Sequence, residues 1–458
     1  MNFEDLFSKT DIEFVDRNEL FDIVKREYYH MKYEHGYYKV LSIYGMGGIG
    51  KSRLLTEIET MINKSFSDDS QMVMLYLSLE ILDSSNYLNA LIQLRKQIPC
   101  ACPLFDYALL TYWDRTQITK LDDNFIKTLK NQWYDVLNTT TALVSIPLTS
   151  LSQFLSIPLS TMVEIVEKGF KYFKLKHYSK LFSNKIKDIS SLTTNDLIDC
   201  LGAFLGLEIN RLYCEKCLFI IIDAYQQYPM ANFINWLPEV IKVAKTGLFI
   251  ISSREVIDFS FLAKENVISY ELKQLPLEEA YNLLQKSIPT LSHETIKHIL
   301  SISECVPIYL ECAINTYQNI LSNNVSCDTS IFFMYKNRNE IIRKFFSHLN
   351  ENERDIMLGL SLIQVFNQDI FIMLLRLFPS TNILEYNKIR SLTLVTQITI
   401  DSNFYKVHNV IHKNVIGILE YNIRYQIFQC YLECITKKII MLTDESRVFD
   451  TLFSSLFP

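Results

Sequence analysis

Through the first 270 or so residues, short apolar runs alternate with longer amphipathic stretches. Tyr38–Tyr44, Gln71–Leu77, Leu218–Ile222 and Gly247–Ile251 are compact, β-rich and bounded by polar or turn residues. Short β-rich runs of that kind, alternating with longer amphipathic stretches, predict strands of a parallel sheet covered by helices. From about Leu275 the period becomes helical. Pro276–Leu284 opens with proline and carries two acids in its first turn, and Ser292–Leu300 starts another helix. The helical pattern breaks at Ser391–Ile400, where a β-rich run meets the polar Asp401-Ser402-Asn403 and then Phe404–Val407. Two such runs about a short polar turn predict a hairpin, which after several helices is the wing of a winged-helix domain. No tandem repeat and no low-complexity linker interrupts the series.

The run Tyr38–Tyr44 leads into Gly45-Met46-Gly47-Gly48-Ile49-Gly50-Lys51-Ser52, and a helical pattern starts at Arg53. This is the phosphate-binding spacing G-x-x-x-x-G-K-[ST], in the strand–loop–helix context that gives it meaning. Four of the chain's 11 glycines fall in six positions, where residues without Cβ let backbone N–H groups curl around an anion at a helix N-terminus. The expectation is therefore a nucleoside triphosphate, with donors from Gly47, Gly48, Ile49, Gly50 and Lys51, the Lys51 ammonium on the β- and γ-phosphates, and the Ser52 hydroxyl on Mg²⁺. The predicted fold class is α/β: a P-loop parallel-sheet domain, then a helical domain, then a winged-helix domain.

Asp223 follows an unbroken apolar run, at the carboxyl end of a predicted core strand where a magnesium-linked carboxylate is needed. An efficient hydrolase would carry an acid next, to activate water. The chain has Ala224-Tyr225-Gln226-Gln227 instead. Gln226 can orient a water but cannot take its proton, so slow hydrolysis is expected unless Glu80 or Glu255 serves as base. Arg254, at the tip of the next strand after Ser252-Ser253, is placed to reach a γ-phosphate.

At 458 residues, with 49% hydrophobic residues, the chain is long enough for two to four domains. A net charge of −6 and a pI near 5.8 argue against a nucleic-acid-coating surface. The acidic start Met1-Asn2-Phe3-Glu4-Asp5 lacks the basic-then-apolar pattern of a secretory signal, so the ten cysteines are expected as reduced thiols in a cytoplasm. Cys100-x-Cys102 and Cys214-x-x-Cys217 have chelating spacing, but over a hundred residues separate the pairs and buried thiols are the expectation rather than zinc. The uncharged stretch from Val136 to Val163 is broken by Ser, Thr, Asn and two prolines, which predicts a buried or interfacial insertion and no membrane span.

The motifs together resemble the signal-transduction ATPases with numerous domains, the STAND class, whose NB-ARC or AP-ATPase core occurs in plant disease-resistance proteins and in the apoptosome scaffold. Phe14-Val15-Asp16-Arg17-Asn18-Glu19-Leu20 resembles its opening motif, and the loop is close to its GMGGIGKT. Ile251-Ser252-Ser253-Arg254 resembles its TSR sensor, and Leu275–Ala280 its LSEEEA segment. Cys305-Val306-Pro307-Ile308-Tyr309-Leu310 resembles its GLPLAL, and Val407-His408-Asn409 its MHD motif. The landmarks follow family order over roughly residues 12–420. Cys102–Ala108 with Tyr112-Trp113 is similar to bacterial members that carry tetratricopeptide tails.

The resemblance implies that Val15 and Arg17 lie at the adenine and phosphate side of ATP or ADP, and that Arg53 belongs to the nucleotide-binding set. It implies that Pro307 packs near the base and that His408 reaches the β-phosphate of ADP, locking a closed form; His412 is the alternative ring. The implied boundaries are a nucleotide-binding domain over 1–270 with a helical insertion at about 100–200, a helical domain over 271–335, a winged helix over 336–425 and a tail over 426–458. The implied function is a switch in signalling or defence that opens on exchange of ADP for ATP, self-associates, and takes its effector or sensor from another protein. Departures are Asp16 and Cys305 in place of glycines, Asn409 in place of the motif's aspartate, and Gln226 in place of a glutamate. Two other functions fit the element order: a DNA-binding regulator using the winged helix, with basic residues such as Lys336, Arg338, Arg343 and Lys344, or a steadily cycling ATPase of origin-recognition or archaeal type.

Overall fold

The computed structural model describes residues 17–34, 36–67, 69–79, 87–116, 123–139, 162–163, 165–167, 170, 189–225, 236–322, 329–363, 365–378, 382–392, 394–397, 404–408, 410–412 and 423–432. The chain divides into two compact units. One comprises residues 23–42 and 59–270; the other comprises 1–22, 43–58 and 271–458.

The first unit is built on a sheet, and its class is α/β as the pattern predicts. Helix α1 (Asn18–Tyr33) enters it; β1 (Tyr38–Tyr44) and the helix α2 (Lys51–Ser65) follow, with residues 43–58 counted in the other unit, and then β2 (Met72–Ser78). Helices α3 (Tyr87–Lys96), α4 (Pro103–Thr116), α5 (Asp123–Thr139) and α6 (Thr194–Tyr213) precede β3 (Cys217–Tyr225), α7 (Trp236–Ala244), β4 (Gly247–Ser253) and β5 (Val267–Glu271). The strands form one sheet in the order β2-β3-β4-β1-β5. β2 pairs with β3 and β3 with β4 in parallel, with Ile220 opposite both Leu75 and Phe249. Ile220, Ile221, Ile222, Phe249, Ile250 and Ile251 have no exposed surface. Burial on both faces explains why these strands read as unbroken apolar runs rather than alternating ones. β5 was not foreseen: Val267–Glu271 is half-exposed and polar at alternate positions, as an edge strand reads.

Helices α3 to α6 are pinned by a buried polar network. The Arg95 guanidinium donates to both Asp106 oxygens at 2.7 and 2.9 Å, to the Ile98 carbonyl at 3.1 Å and to Gln132 Oε1 at 2.6 Å. Trp133 Nε1 adds a bond to Asp106 at 3.1 Å. Nearby, Glu208 accepts the Leu104 N–H at 2.6 Å and the Arg211 Nε–H at 2.7 Å. This accounts for Cys102–Ala108 as a structural motif: Asp106 also accepts the Cys102 N–H at 3.0 Å, so the segment caps and clamps its own helix. The uncharged stretch 136–163 lies mostly outside the described residues; where described, 136–139 close α5. Among the described residues no helix is long and apolar enough to cross a membrane.

The second unit begins its later part with α8 (Leu277–Ser287), α9 (His293–Ser303) and α10 (Pro307–Ser322). Ser292 caps α9 by accepting the Thr295 N–H at 3.1 Å, satisfying one of the helix's free N-terminal donors. Between α9 and α10, Glu304 and Cys305 both take positive φ, 50° and 56°. Cys305 stands where the resembled motif has glycine, which carries that conformation without Cβ strain. Next come α11 (Arg338–His348), α12 (Glu351–Ile363), the short β6 (Val365–Phe366), α13 (Gln368–Leu374), α14 (Glu385–Ser391), β7 (Val395–Gln397) and β8 (Tyr405–Val407). β8 pairs antiparallel with both β6 and β7. The hairpin arm read from Ser391 is shorter than its apolar run: Ser391 still ends α14, Leu392 caps it, and the strand starts at Val395. The turn at 401–403 lies outside the described residues.

Candidate nucleotide-binding site

β1 delivers the chain into the glycine loop, and the loop runs directly into α2 at Lys51. Gly48 and Gly50 have φ of 82° and 95°, a region that L side chains enter at a cost of roughly 1–2 kcal/mol. A Cβ at Gly47 or Gly50 would meet no heavy atom within 4 Å, so side chains there would stand in open space over the loop. The Lys51 ammonium donates to the carbonyls of Gly45 at 2.6 Å and Met46 at 3.0 Å, folded across its own loop. The absence of Cβ atoms, left-handed glycines, a lysine spanning the turn and a following helix N-terminus make a cradle that fits a polyphosphate. Ser52, in the first turn of α2, has the hydroxyl such a cradle uses for Mg²⁺.

The second unit gathers further predicted residues around this loop. A Cβ on Gly45 would lie 2.5 Å from the Leu272 carbonyl oxygen, and the Leu272 N–H bonds the Tyr44 carbonyl at 2.7 Å. Pro307 is the first residue of α10, and the next N–H, of Ile308, points to the Gly48 carbonyl at 3.4 Å. His408 arrives from β8, with its Cε1 3.6 Å from where a Gly48 Cβ would stand. The ring accepts the Val410 N–H on Nδ1 at 3.2 Å, which leaves the hydrogen of a neutral imidazole on Nε2. His412, the alternative, bonds the Ser361 carbonyl through Nδ1 at 2.7 Å. Arg53 Nη1 pairs with Glu311 of α10 at 3.0 Å, and Arg17 donates to the Lys273 carbonyl at 2.7 Å. Val15 and Asn409 lie outside the described residues.

Asp223 is in the sheet unit, at the carboxyl end of β3 and 3% exposed. It accepts the Ser252 hydroxyl hydrogen from the end of β4, and that hydroxyl oxygen accepts the Ala224 N–H at 2.9 Å. The register of β3 on β4 shifts between Ile222 and Tyr225, and Ala224 within the shift has φ of 58°. A bulge with a strained alanine beside a buried carboxylate is the kind of local cost that folds retain at functional positions. Nothing about an alanine announces this; the signal was in register, since Ile222 opposite Ile251 makes Ser252 the neighbour of Asp223. Arg254 is exposed just beyond β4, Glu255 beside it accepts from Ser253 Oγ through its carbonyl at 2.5 Å, and Gln226 and Glu80 lie outside the described residues. Ile308 and Glu311 were missed because they act only through the close approach of α10 to the loop.

The cysteine pairs behave as thiols of mixed exposure: Cys102 and Cys217 are buried, Cys100 and Cys214 exposed. Burial raises the Cys102 thiol well above its ordinary range. Among the described residues no group of three or more His, Cys, Asp or Glu is placed to hold a metal.

No protein-family model matches the chain, and no curated protein matches it. Among solved structures, the chain is similar to a STAND protein with a tetratricopeptide repeat sensor from Pyrococcus horikoshii, with TM-score 0.48, 15% identity, and 96% of this chain but 47% of that one covered. It thus spans about half the length of that protein. It is also similar to the Aeropyrum pernix ORC2 protein, with TM-score 0.35, 12% identity and 93% and 98% of the two chains covered. The ORC1 protein of the same organism, solved in complex with DNA, matches with TM-score 0.34, 8% identity and 90% and 95% covered. On its own geometry, a glycine loop between β1 and α2 with β4 inserted between β1 and β3, the chain has a P-loop ATPase fold.

Proposed function

We propose that the chain is an ATP/ADP-binding switch of the STAND class, held closed with ADP and opened by exchange for ATP. The observation that carries this is the meeting of Ile308 and His408 on Gly48, three residues from separate parts of one compact unit. A loop that only bound and hydrolysed nucleotide would not need a helix start and an imidazole from later in the chain against its glycines. In this scheme the loop from Gly45 to Ser52, with Arg53 behind it, holds the phosphates. Ser52 and Asp223 serve Mg²⁺, which would offset phosphate charge. Val15, Arg17 and Pro307 hold the nucleoside, and Arg254 reads the γ-phosphate. His408 donates Nε2–H to a phosphate oxygen of the closed state.

The proposed domains are those read from the sequence, with a winged helix over 336–425. Opening follows from differential affinity for two states, and exposes surface for self-association or for an effector or sensor supplied in trans. Hydrolysis is slow because Gln226 orients water without taking its proton; general-base assistance is worth about a hundredfold to ten-thousandfold. Gln226→Glu should raise turnover. Brisk wild-type turnover that survives changes at Gln226 would move the base elsewhere.

The test is the identity of the nucleotide released when freshly purified protein is denatured, with ADP expected. Calorimetry on Lys51→Ala and Asp223→Ala accompanies it, with weakened ATP binding expected in folded protein. Unchanged ATP affinity in both variants overturns the assignment. A DNA-binding regulator would instead show a gel shift that falls steeply with salt. Of its basic residues, Arg338 pairs with Glu304 and covers the Tyr309 ring at 5.5 Å, which leaves Lys336, Arg343 and Lys344.

A further inference from the structure

Those three cations surround an open cleft of about 560 Å³ whose other walls are Phe333, Met334, Glu340 and Ser347. Phe333 and Met334 are 49% and 57% exposed, while Phe332 and Tyr335 on either side are 0% and 1% exposed. The buried pair packs edge to face at 5.7 Å, His298 Nε2 bonds the Tyr335 carbonyl at 3.0 Å, and the His298 ring stacks on Phe333 at 5.6 Å. The two exposed apolar side chains are thus presented by a turn anchored on both sides.

Glu340 adds one negative charge against the three positive ones; its carboxylate accepts the Lys336 N–H at 2.6 Å and its own N–H bonds Asn337 Oδ1 at 3.1 Å. It is used in capping α11. Lys336, Arg343 and Lys344 make no ion pair among the described residues. A chain with a net charge of −6 thus sets three cations, against the one carboxylate of Glu340, around an exposed apolar pair.

We propose that this cleft docks an acidic peptide segment of a partner protein, an aromatic or leucine side chain flanked by Asp and Glu. Covering Phe333 and Met334 supplies hydrophobic gain, the thioether adapts to the incoming side chain, and the cations steer and select carboxylates. A nucleic-acid backbone could use the cations but would gain little from covering Phe333 and Met334, which an apolar side chain does. The proposal stands apart from the nucleotide assignment.

The experiment is fluorescence anisotropy of the full chain with a labelled synthetic peptide alternating Asp-Glu pairs with Phe and Leu. Partner arms use the same peptide with Asn and Gln for the acids, and a labelled DNA duplex. Wild type should bind the acidic peptide and lose at least roughly tenfold with the amide peptide. Arg343→Glu with Lys344→Glu should lose a similar factor, and Met334→Ser should weaken binding, with circular dichroism and ATP binding unchanged. No binding by wild type, equal binding of the amide peptide, or equal binding by the charge-reversed variant overturns the proposal. Duplex binding that disappears in that variant while the peptide fails to bind gives the cleft to nucleic acid, and overturns it too.

Discussion

Gly48 and Ile308 approach so closely that a Cβ on the glycine would stand 2.7 Å from Ile308 Cγ2. The loop and the first turn of α10 are thereby fitted to each other through a missing side chain. Gly48→Ala should destabilise the chain by about 2 kcal/mol or more, combining overpacking with the left-handed φ. Ile308→Ala should recover part of that in the double variant, because it removes the clashing methyl. Denaturant unfolding of the four proteins checks this; strictly additive effects would mean that the two residues do not interact.

His408 is expected to slow ADP release. His408→Ala, measured by displacement of a fluorescent ADP, should speed release and favour larger assemblies with ATP. Glutamine at this position offers a donor at similar reach and should recover part of the effect. Release at the wild-type rate in both variants would leave the ring as a support for the Val410 N–H alone.

The Arg95–Asp106 pair is a structural commitment of the sheet unit. Both side chains have no exposed surface, so Asp106→Ala should cost about 3–5 kcal/mol by leaving a guanidinium buried without its counter-ion. Arg95→Met with Asp106→Leu should cost less than Asp106→Ala alone, since no charge is then stranded. Urea unfolding decides between this and simple loss of packing, in which the double variant would be worse.

Asp69 sets part of the acid stability. It accepts the Tyr28 hydroxyl at 2.7 Å, the Gln71 N–H at 2.9 Å and the Lys32 ammonium at 3.0 Å. These hydrogen bonds, Tyr28 foremost, hold its carboxyl down at about 2. A carboxyl lowered on folding contributes stability above its unfolded value, about 3.9, that is lost as pH falls through the folded one. The stability difference between wild type and Asp69→Asn should therefore be full at pH 6 and shrink between about pH 4 and pH 2. A difference independent of pH would mean that packing alone sets it.

Strands β1 to β4 and the loop were legible because each depends on residue type at fixed spacing: apolar runs for buried strands, glycines before Lys51-Ser52 for the turn. Asp223 was legible for the same reason, as a carboxylate ending such a run. Ala224 was not, since its φ of 58° is imposed by the register of β3 on β4 and not by alanine. Glu311 as partner of Arg53, and Ile308 as partner of Gly48, depend on α10 folding back over two hundred residues later. A single sequence carries no record of such a distance. The Arg95–Asp106 pair, eleven positions apart, reads as two ordinary surface charges until helices α3 to α6 close around it.

The Val410 N–H on His408 Nδ1 has a consequence for metal choice. A neutral imidazole whose one lone pair accepts a backbone N–H, and whose other nitrogen carries hydrogen, has no lone pair left for a cation. In the proposed site this ring would add no nitrogen ligand to an ion drawn to the phosphates. It would then give zinc or nickel, which draw their advantage from nitrogen ligands, no preference over a hard cation such as magnesium.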